Sequence, residues 1–140
     1  MPLQYFKEET EFSLDNADVV SDWLSKLISN NNHSLSDLNY IFCSDDYLLS
    51  INKEHLDHDY YTDIITFDSS ESESQIEGDI FISVDRVKEN ASTLNQPFTR
   101  ELHRVMAHGL LHLFGFADKT DDEKKLMREK EDLCLSLLKI

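Results

Sequence analysis

Apolar residues recur along the chain at two spacings, and each spacing predicts one kind of element. Alternation around Leu3 and Tyr5 indicates a strand. From residue 17 to residue 28 the apolar positions return every three or four residues, which predicts a helix with Asp15 or Asn16 as its N-cap. The same two patterns predict, further along, a strand over 38–43, a helix from 44 to about 56, short strands over 64–67 and 79–83, and helices over about 84–94, 98–114 and 121–138.

Two polar tracts separate these elements. Residues 29–37 are predicted to form a loop, and residues 68–78 are predicted to form a mobile connection of low complexity, in the manner of a hairpin loop. The chain shows no internal repeat and no composition shift that would mark a domain boundary, so we expect a single domain over 1–140. The mixture of strands and helices, with a helix-rich final third, leaves α/β and α+β open.

The composition is that of an ordinary globular protein, with 40% hydrophobic and 29% charged residues. No apolar run approaches the roughly 20 residues of a membrane span, and the acidic N-terminal segment lacks the layout of a signal peptide. Cys43 and Cys134 lie far apart and outside any CxxC pattern, so we expect two reduced core thiols and a cytoplasmic protein that does not contact a membrane.

The net charge of −15 disfavours nucleic-acid binding over the chain as a whole, because affinity for phosphate depends on cationic contacts. The charge is uneven, however. Residues 1–100 hold 20 acidic and 6 basic side chains, whereas residues 101–140 hold 8 and 7. The objection is therefore weaker in the C-terminal segment, and most of the acidic residues are interpreted as a solvated surface.

The stretch HGLLHLFGFAD, residues 108–118, carries the candidate chemistry. The predicted helix over 98–114 begins after Pro97 and ends before Gly115. Its apolar stripe leaves His108 and His112 one turn apart on the flank of the buried face, about 110° from the centre of the stripe. Two exposed surface histidines are the alternative interpretation, since HxxxH alone is a weak signal.

The residues after the helix favour a metal site. Gly115 permits a positive φ and a sharp turn, which can bring Asp118 back toward the histidines. Two imidazoles and a carboxylate are a familiar ligand set for catalytic zinc, and nickel, manganese or iron could use the same set. The spacing is that of the metzincin proteases, but Gly109 occupies the place of their glutamate base, so peptide hydrolysis by the usual route is disfavoured.

The neighbouring titratable residues are expected to have structural roles and not to take part in the site. Asp121, Asp122 and Glu123 are expected to cap the last helix. His103 lies about 180° round the helix from His112 and is not expected to join the site.

The same stretch resembles the signature HGxLHLxGYDH of the YbeY family of endoribonucleases, also called rRNA maturation factors, whose three histidines bind zinc. Phe116 stands for the tyrosine, and Asp118 falls where the third histidine would be. The direct matches to the signature are His108, Gly109, Leu111, His112, Leu113 and Gly115. Residues 62–67 resemble the TDVLSF block of the family, residues 78–83 resemble its GDI strand, and Asn52 fits its asparagine.

One departure from the family concerns catalysis. The family usually carries an arginine four residues after that asparagine, where a guanidinium would hold a phosphate, and this chain has Leu56 there. His58 is either a substitute for the arginine or simply a solvated loop residue. Thr62 and Asp63 are either turn residues or part of the cleft floor, and neither is assigned a chemical role.

The resemblance implies an α+β fold, with a small mixed sheet of about four strands, about five helices and the metal site on a central helix. It also implies a single-strand-specific, metal-dependent endoribonuclease that acts in 16S rRNA 3′-end maturation and ribosome quality control. One Zn²⁺ would be held by His108, His112 and Asp118, and the partners would be ribosomal RNA and the ribosome or its proteins, not DNA. With Leu56 and Asp118 both removing positive character, we expect weaker cleavage than in a typical member. The alternatives are a non-cleaving ribosome-assembly factor with a structural metal, and a zinc peptidase.

Overall fold

The computed structural model describes residues 2–139, and in this range it contains four strands and five helices. This confirms the expected α+β class with a small mixed sheet. The elements in chain order are β1 (Leu3–Glu8), α1 (Ala17–Asn30), β2 (Ser34–Cys43), α2 (Asp45–Leu56), β3 (Ile64–Asp68), β4 (Gln75–Ser83), α3 (Val84–Thr93), α4 (Phe98–Leu113) and α5 (Asp121–Ser136).

The sheet has the strand order β1-β2-β4-β3. Strands β1, β2 and β4 are parallel, and β3 runs antiparallel to β4. The sequence alternation explains which side each residue faces, because successive side chains of a strand point to opposite faces. Tyr40 of β2 and Ile80 of β4 lie opposite each other in the register and are fully buried in the main core, on the face that α1 and α4 cover.

The second face of the sheet is covered by α2. Leu48 of this helix packs with Cys43 and Ile65 in a smaller buried cluster. Helix α5 packs on α4 from the side away from the sheet, and its buried residues Met127 and Leu135 join the main core. Helix α4 is therefore enclosed between the sheet and α5, which makes it the central helix of the fold.

In both polar tracts, the strands extend further than the sequence predicted. Strand β2 already begins at Ser34, inside the predicted loop 29–37, because Ser34 and Leu35 pair with Gln75 and Ile76 of β4. The predicted connection 68–78 is shortened from both ends, since Asp68 pairs with Gly78 and β4 begins at Gln75. The hairpin itself was predicted correctly. Backbone hydrogen bonds to a neighbouring strand outweigh the low strand propensity of these polar side chains.

The helix caps largely follow the sequence. Thr120 and Glu123 form a reciprocal capping box at the start of α5, as the acidic residues there suggested. Ser44 accepts a hydrogen bond from the Tyr47 amide at the start of α2. Asn16 holds the N-cap position of α1, but it has a left-handed φ of 56° and its side chain makes no capping hydrogen bond.

Both cysteines are free thiols buried in the core, as expected. Burial raises the pKa of the Cys43 thiol to about 12 and that of Cys134 to about 11, so both stay protonated and unreactive at neutral pH. Within residues 2–139, no helix has the length and apolarity required to cross a membrane.

Candidate metal centre

Close packing of α4 on the sheet sets the direction of its two histidines. Gly109 lies so near the sheet that a Cβ atom placed on it would stand 2.8 Å from Cδ1 of Ile64 and 3.0 Å from Cγ2 of Ile80. The glycine face of the helix therefore points at β3 and β4. His108 and His112 project from the flank, with side chains 19% and 26% exposed, so they are neither core residues nor freely solvated ones.

The turn after α4 brings the third predicted ligand to the histidines. Gly115 has a φ of +106°, a conformation that L side chains rarely adopt, as the sequence predicted. Oδ2 of Asp118 then lies 3.3 Å from Nε2 of His108 and 3.3 Å from Nε2 of His112. The two Nε2 atoms are 3.0 Å apart. All three predicted site residues are thus in one cluster.

The outer nitrogens of both rings have hydrogen-bond acceptors as partners. Nδ1 of His112 lies 3.0 Å from the carbonyl oxygen of Phe116, and Nδ1 of His108 lies 2.6 Å from Oε2 of Glu131. A carbonyl oxygen and a carboxylate can only accept, so each Nδ1 must donate its hydrogen. In the neutral rings this leaves both Nε2 atoms without a hydrogen.

The cluster consequently presents three lone-pair donors to one point. Two Nε2 atoms and a carboxylate oxygen repel one another unless a metal ion lies between them or one Nε2 carries a hydrogen. Tetrahedral zinc with bonds of roughly 2.0–2.1 Å places neighbouring ligand atoms about 3.3 Å apart. The separations of 3.0–3.3 Å among His108, His112 and Asp118 are close to this value, so the residues fit a divalent metal ion.

Behind His108 lies a buried ionic network that the sequence did not reveal. Arg104 donates from Nε to Oε1 of Glu101 at 2.9 Å and from Nη1 to Oε1 of Glu131 at 2.7 Å, and its Nη2 also contacts Glu101. Glu101 and Glu131 are only 1% and 2% exposed. One guanidinium faces two buried carboxylates, so the network has an excess negative charge beside the cluster, which favours a bound cation.

The titration of this network follows from its contacts. Burial alone would lower the pKa of His108, but the hydrogen bond and charge of Glu131, with Asp118 and Asp63, outweigh burial and raise it. Burial alone would raise the pKa of Glu131, but its bonds to His108 and Arg104 hold it below its usual range. Without metal, His108 therefore retains a proton more readily than a free histidine does.

A cleft of about 230 Å³ opens beside the cluster, between α4, α5 and the start of β3. Asp63 lies in it, and burial raises the pKa of this carboxyl group. Its lining also includes three cationic residues outside the predicted site: Arg104, Lys124 and Arg128. Arg104 could have been found from the sequence, because it precedes His108 by four residues and shares its helix face. Lys124 and Arg128 carried no such signal, since only the packing of α5 on α4 brings them there.

A second and larger cavity, of about 650 Å³, is lined by His112 and by the turn between β3 and β4. Its charged lining is acidic, with Asp68, Glu71 and Glu73. Histidine His33 also lines it, stacked on Phe114 with ring centroids 4.7 Å apart. The cluster therefore borders both spaces, because His108 and Asp118 line the cleft with the three cations and His112 lines the acidic cavity.

The remaining residues singled out in the sequence lie outside the cluster. His103 is buried and packs edge-on against Trp23, with ring centroids 6.0 Å apart, so it does not join the site, as predicted. His58 is exposed and its ring stacks on Tyr60. Leu56 is 40% exposed at the end of α2 and offers no cation.

Comparisons with known proteins agree with these observations. The sequence matches the family described as Endoribonuclease YbeY over residues 4–139. A Cytophaga hutchinsonii protein named Endoribonuclease YbeY is 56% identical over 135 residues, which cover 96% of this chain and 94% of that relative. A protein of the same name from Flavobacterium johnsoniae is 49% identical and covers 96% of this chain and 96% of its own length. The solution structure of TM1509 from Thermotoga maritima has a TM-score of 0.68 at 25% identity, covering 97% of this chain and 88% of that one.

Proposed function

The chain belongs to the YbeY endoribonuclease family, and from this premise we propose that it is a metal-dependent endoribonuclease that hydrolyses phosphodiester bonds of single-stranded RNA. The relatives' name favours this activity over the two alternatives, a non-cleaving assembly factor and a zinc peptidase. Ribosomal RNA, at the 16S 3′ end and in ribosome quality control, is the proposed substrate. The ribosome or its proteins are the proposed partners, and the cytoplasm is the proposed compartment.

One observation carries the proposal. Nε2 of His108, Nε2 of His112 and Oδ2 of Asp118 converge within 3.0–3.3 Å of one another, with both Nδ1 atoms committed to acceptors. Three such donors at one point are a cation site, and three protein ligands leave a position free for water or substrate, as in catalytic zinc sites. We propose these residues as the ligands of one Zn²⁺ per chain.

A divalent ion at this site would polarise a phosphoryl oxygen and lower the pKa of a coordinated water toward about 7. Asp118 makes the ligand set more negative than three histidines would, so the Lewis acidity and the cleavage rate are expected to be lower than with a histidine there. The protein supplies orientation, because Glu131 and the Phe116 carbonyl fix the tautomers and directions of the two rings.

The proposed activity is tested by single-stranded RNA cleavage with the zinc-loaded protein and its His108→Ala and Asp118→Ala variants. Bound metal is quantified in each protein, and folding is followed by thermal melting. We expect the wild type to cut the RNA, and both variants to lose metal and cleavage together while remaining folded, because the cluster lies on the flank of α4 and not in the core. His55→Ala and Asp122→Ala are matched controls on exposed positions, and both are expected to retain metal and activity.

Three other outcomes would contradict parts of the proposal. A wild type that carries metal but cuts no RNA would contradict the nuclease activity and favour the alternative of a non-cleaving assembly factor. Unfolding on addition of a chelator would indicate a structural metal. An Asp118→Ala variant with wild-type metal content would remove Asp118 from the ligand set while leaving the nuclease activity in place.

A further inference from the structure

We propose that Lys124 and Arg128 bind phosphates of the RNA beside the metal centre, so that the RNA backbone crosses the centre on the side of α5. This inference rests on the proposed endoribonuclease function, and it assigns the substrate-binding cations of the site. Since Leu56 stands where the family usually carries an arginine, these two residues would supply cationic contacts from a different helix.

The position of the two residues is the first argument. They are four residues apart on α5, so their side chains emerge from the same face of the helix. Both line the cleft that also contains the ligands His108 and Asp118. Because the two residues line the same cleft as His108 and Asp118, a strand whose phosphodiester is held at the metal centre brings its neighbouring phosphates alongside them.

The availability of their charges is the second argument. Arg104 lies in the same cleft but is held by Glu101 and Glu131 and is only 17% exposed. Lys124 and Arg128 are exposed, and within residues 2–139 neither lies within 4.0 Å of a carboxylate. An exposed cation without a partner gains most from a phosphate, since no existing ion pair must be broken.

The charges of the second cavity supply the third argument. This cavity is lined by Asp68, Glu71 and Glu73 and, in the described part of the chain, by no lysine or arginine. Carboxylates there repel phosphates with no lysine or arginine to offset them, whereas the three carboxylates that line the cleft on the α5 side are offset by its three cationic side chains. With a net charge of −15 over the whole chain, these local cations decide where an RNA strand can approach.

The test compares two double variants that change the net charge equally. Lys124→Gln/Arg128→Gln removes the proposed contacts, and Lys88→Gln/Lys125→Gln removes two exposed lysines outside the cleft, one of them next to Lys124. Binding of a fluorescent single-stranded 2′-O-methyl RNA of 12 nucleotides to the zinc-loaded proteins is measured by anisotropy over a range of salt concentrations, and zinc content is measured alongside.

We expect the cleft variant to bind this RNA about 10- to 30-fold more weakly near 0.1 M salt, and its dependence of log K on log salt to be shallower by about 1.4, since each phosphate contact to a single strand contributes about 0.7. The zinc content of the cleft variant should equal that of the wild type. In the control variant, the RNA affinity and its salt dependence should change much less. With unmodified RNA, KM should rise while kcat changes less.

Equal weakening in the two double variants would overturn the inference, because it would show a general charge effect. Wild-type binding by the cleft variant, with RNA cleavage intact, would overturn the inference and leave the nuclease function standing. A wild type that neither binds nor cuts single-stranded RNA would overturn the proposed function, and the inference with it.

Discussion

Oε2 of Glu131 lies 2.6 Å from Nδ1 of His108, although the two residues are on different helices and 23 positions apart in the chain. The carboxylate is almost fully buried, and Arg104 holds its other oxygen. A histidine that donates its outer hydrogen to a carboxylate is fixed in the tautomer that leaves Nε2 free for a metal, and its basicity is increased. Helix α5 thus contributes to the proposed metal centre through a residue that is not itself a proposed ligand.

Replacing Glu131 by glutamine should weaken zinc binding about 10- to 100-fold, the usual cost of losing an outer partner of a metal ligand. The amide oxygen can still accept the hydrogen bond from His108, but the negative charge is lost. Zinc affinity is measured by competition with a chelating indicator. Glu129→Gln removes an exposed charge from the same helix and should leave the affinity unchanged. Equal zinc affinities for the two variants would show that the charge of Glu131 does not support the metal ligand His108.

Replacing Gly109 by alanine should destabilise the fold by up to about 2 kcal/mol. The added methyl group meets Cδ1 of Ile64 at 2.8 Å, and such overpacking costs about 1–3 kcal/mol. The better helix propensity of alanine offsets about 1 kcal/mol of this cost. Urea denaturation measures the change. The double variant Gly109→Ala/Ile64→Val lacks the clashing Cδ1 atom. Its loss of unfolding free energy should therefore be smaller than the sum of the losses of the two single variants. Simple additivity would show that this contact is not the cause.

At Gly115 the expected cost has a different origin. A Cβ atom there would meet nothing within 4 Å, but φ is +106°, so an alanine strains the backbone by about 1–2 kcal/mol. Because this turn delivers Asp118, zinc affinity should fall together with stability. Gly115→Asn should lose less, since asparagine tolerates positive φ better than alanine does. Equal losses for alanine and asparagine, measured by the same denaturation, would contradict a backbone origin.

Stability at mildly acidic pH should depend on His103. Burial lowers the pKa of this residue, so the folded state binds the proton less readily than the unfolded chain, whose histidine titrates near about 6.5. As the pH falls below that value, the unfolded chain takes up a proton that the folded protein refuses, and stability decreases. Above about pH 7.5 the residue contributes no pH dependence.

The measurement for His103 is the free energy of unfolding against pH, with a chelator present, for the wild type and His103→Phe. A phenylalanine keeps the edge-on packing against Trp23 but cannot take up a proton. The difference between the two proteins should be constant above about pH 7.5 and should shift in favour of the variant as the pH falls below about 6.5. A constant difference over the whole range would show that burial does not perturb His103.

Much of the local structure was readable from the sequence, because spacing determines what shares a face of a helix or a strand. The apolar stripe of α4, the placement of His108 and His112 on its flank, and the positive φ at Gly115 all follow from local rules. The family motif further indicated Asp118, a residue only ten positions from His108. The local prediction failed at the polar start of β2 at Ser34. There, pairing with a strand distant in the sequence outweighs the low strand propensity of the polar residues.

The surroundings of the site were decided by tertiary structure. Arg104 stood on the same helix, but its partner Glu131 and the cationic residues Lys124 and Arg128 lie on α5, and no spacing within one helix predicts what a second helix places beside it. The sequence by itself determined the three lone-pair donors and the turn that gathers them. Only the packing of α5 on α4 decided the orientation of His108 and the distribution of charge around the centre, because both arise from contacts between residues far apart in the chain.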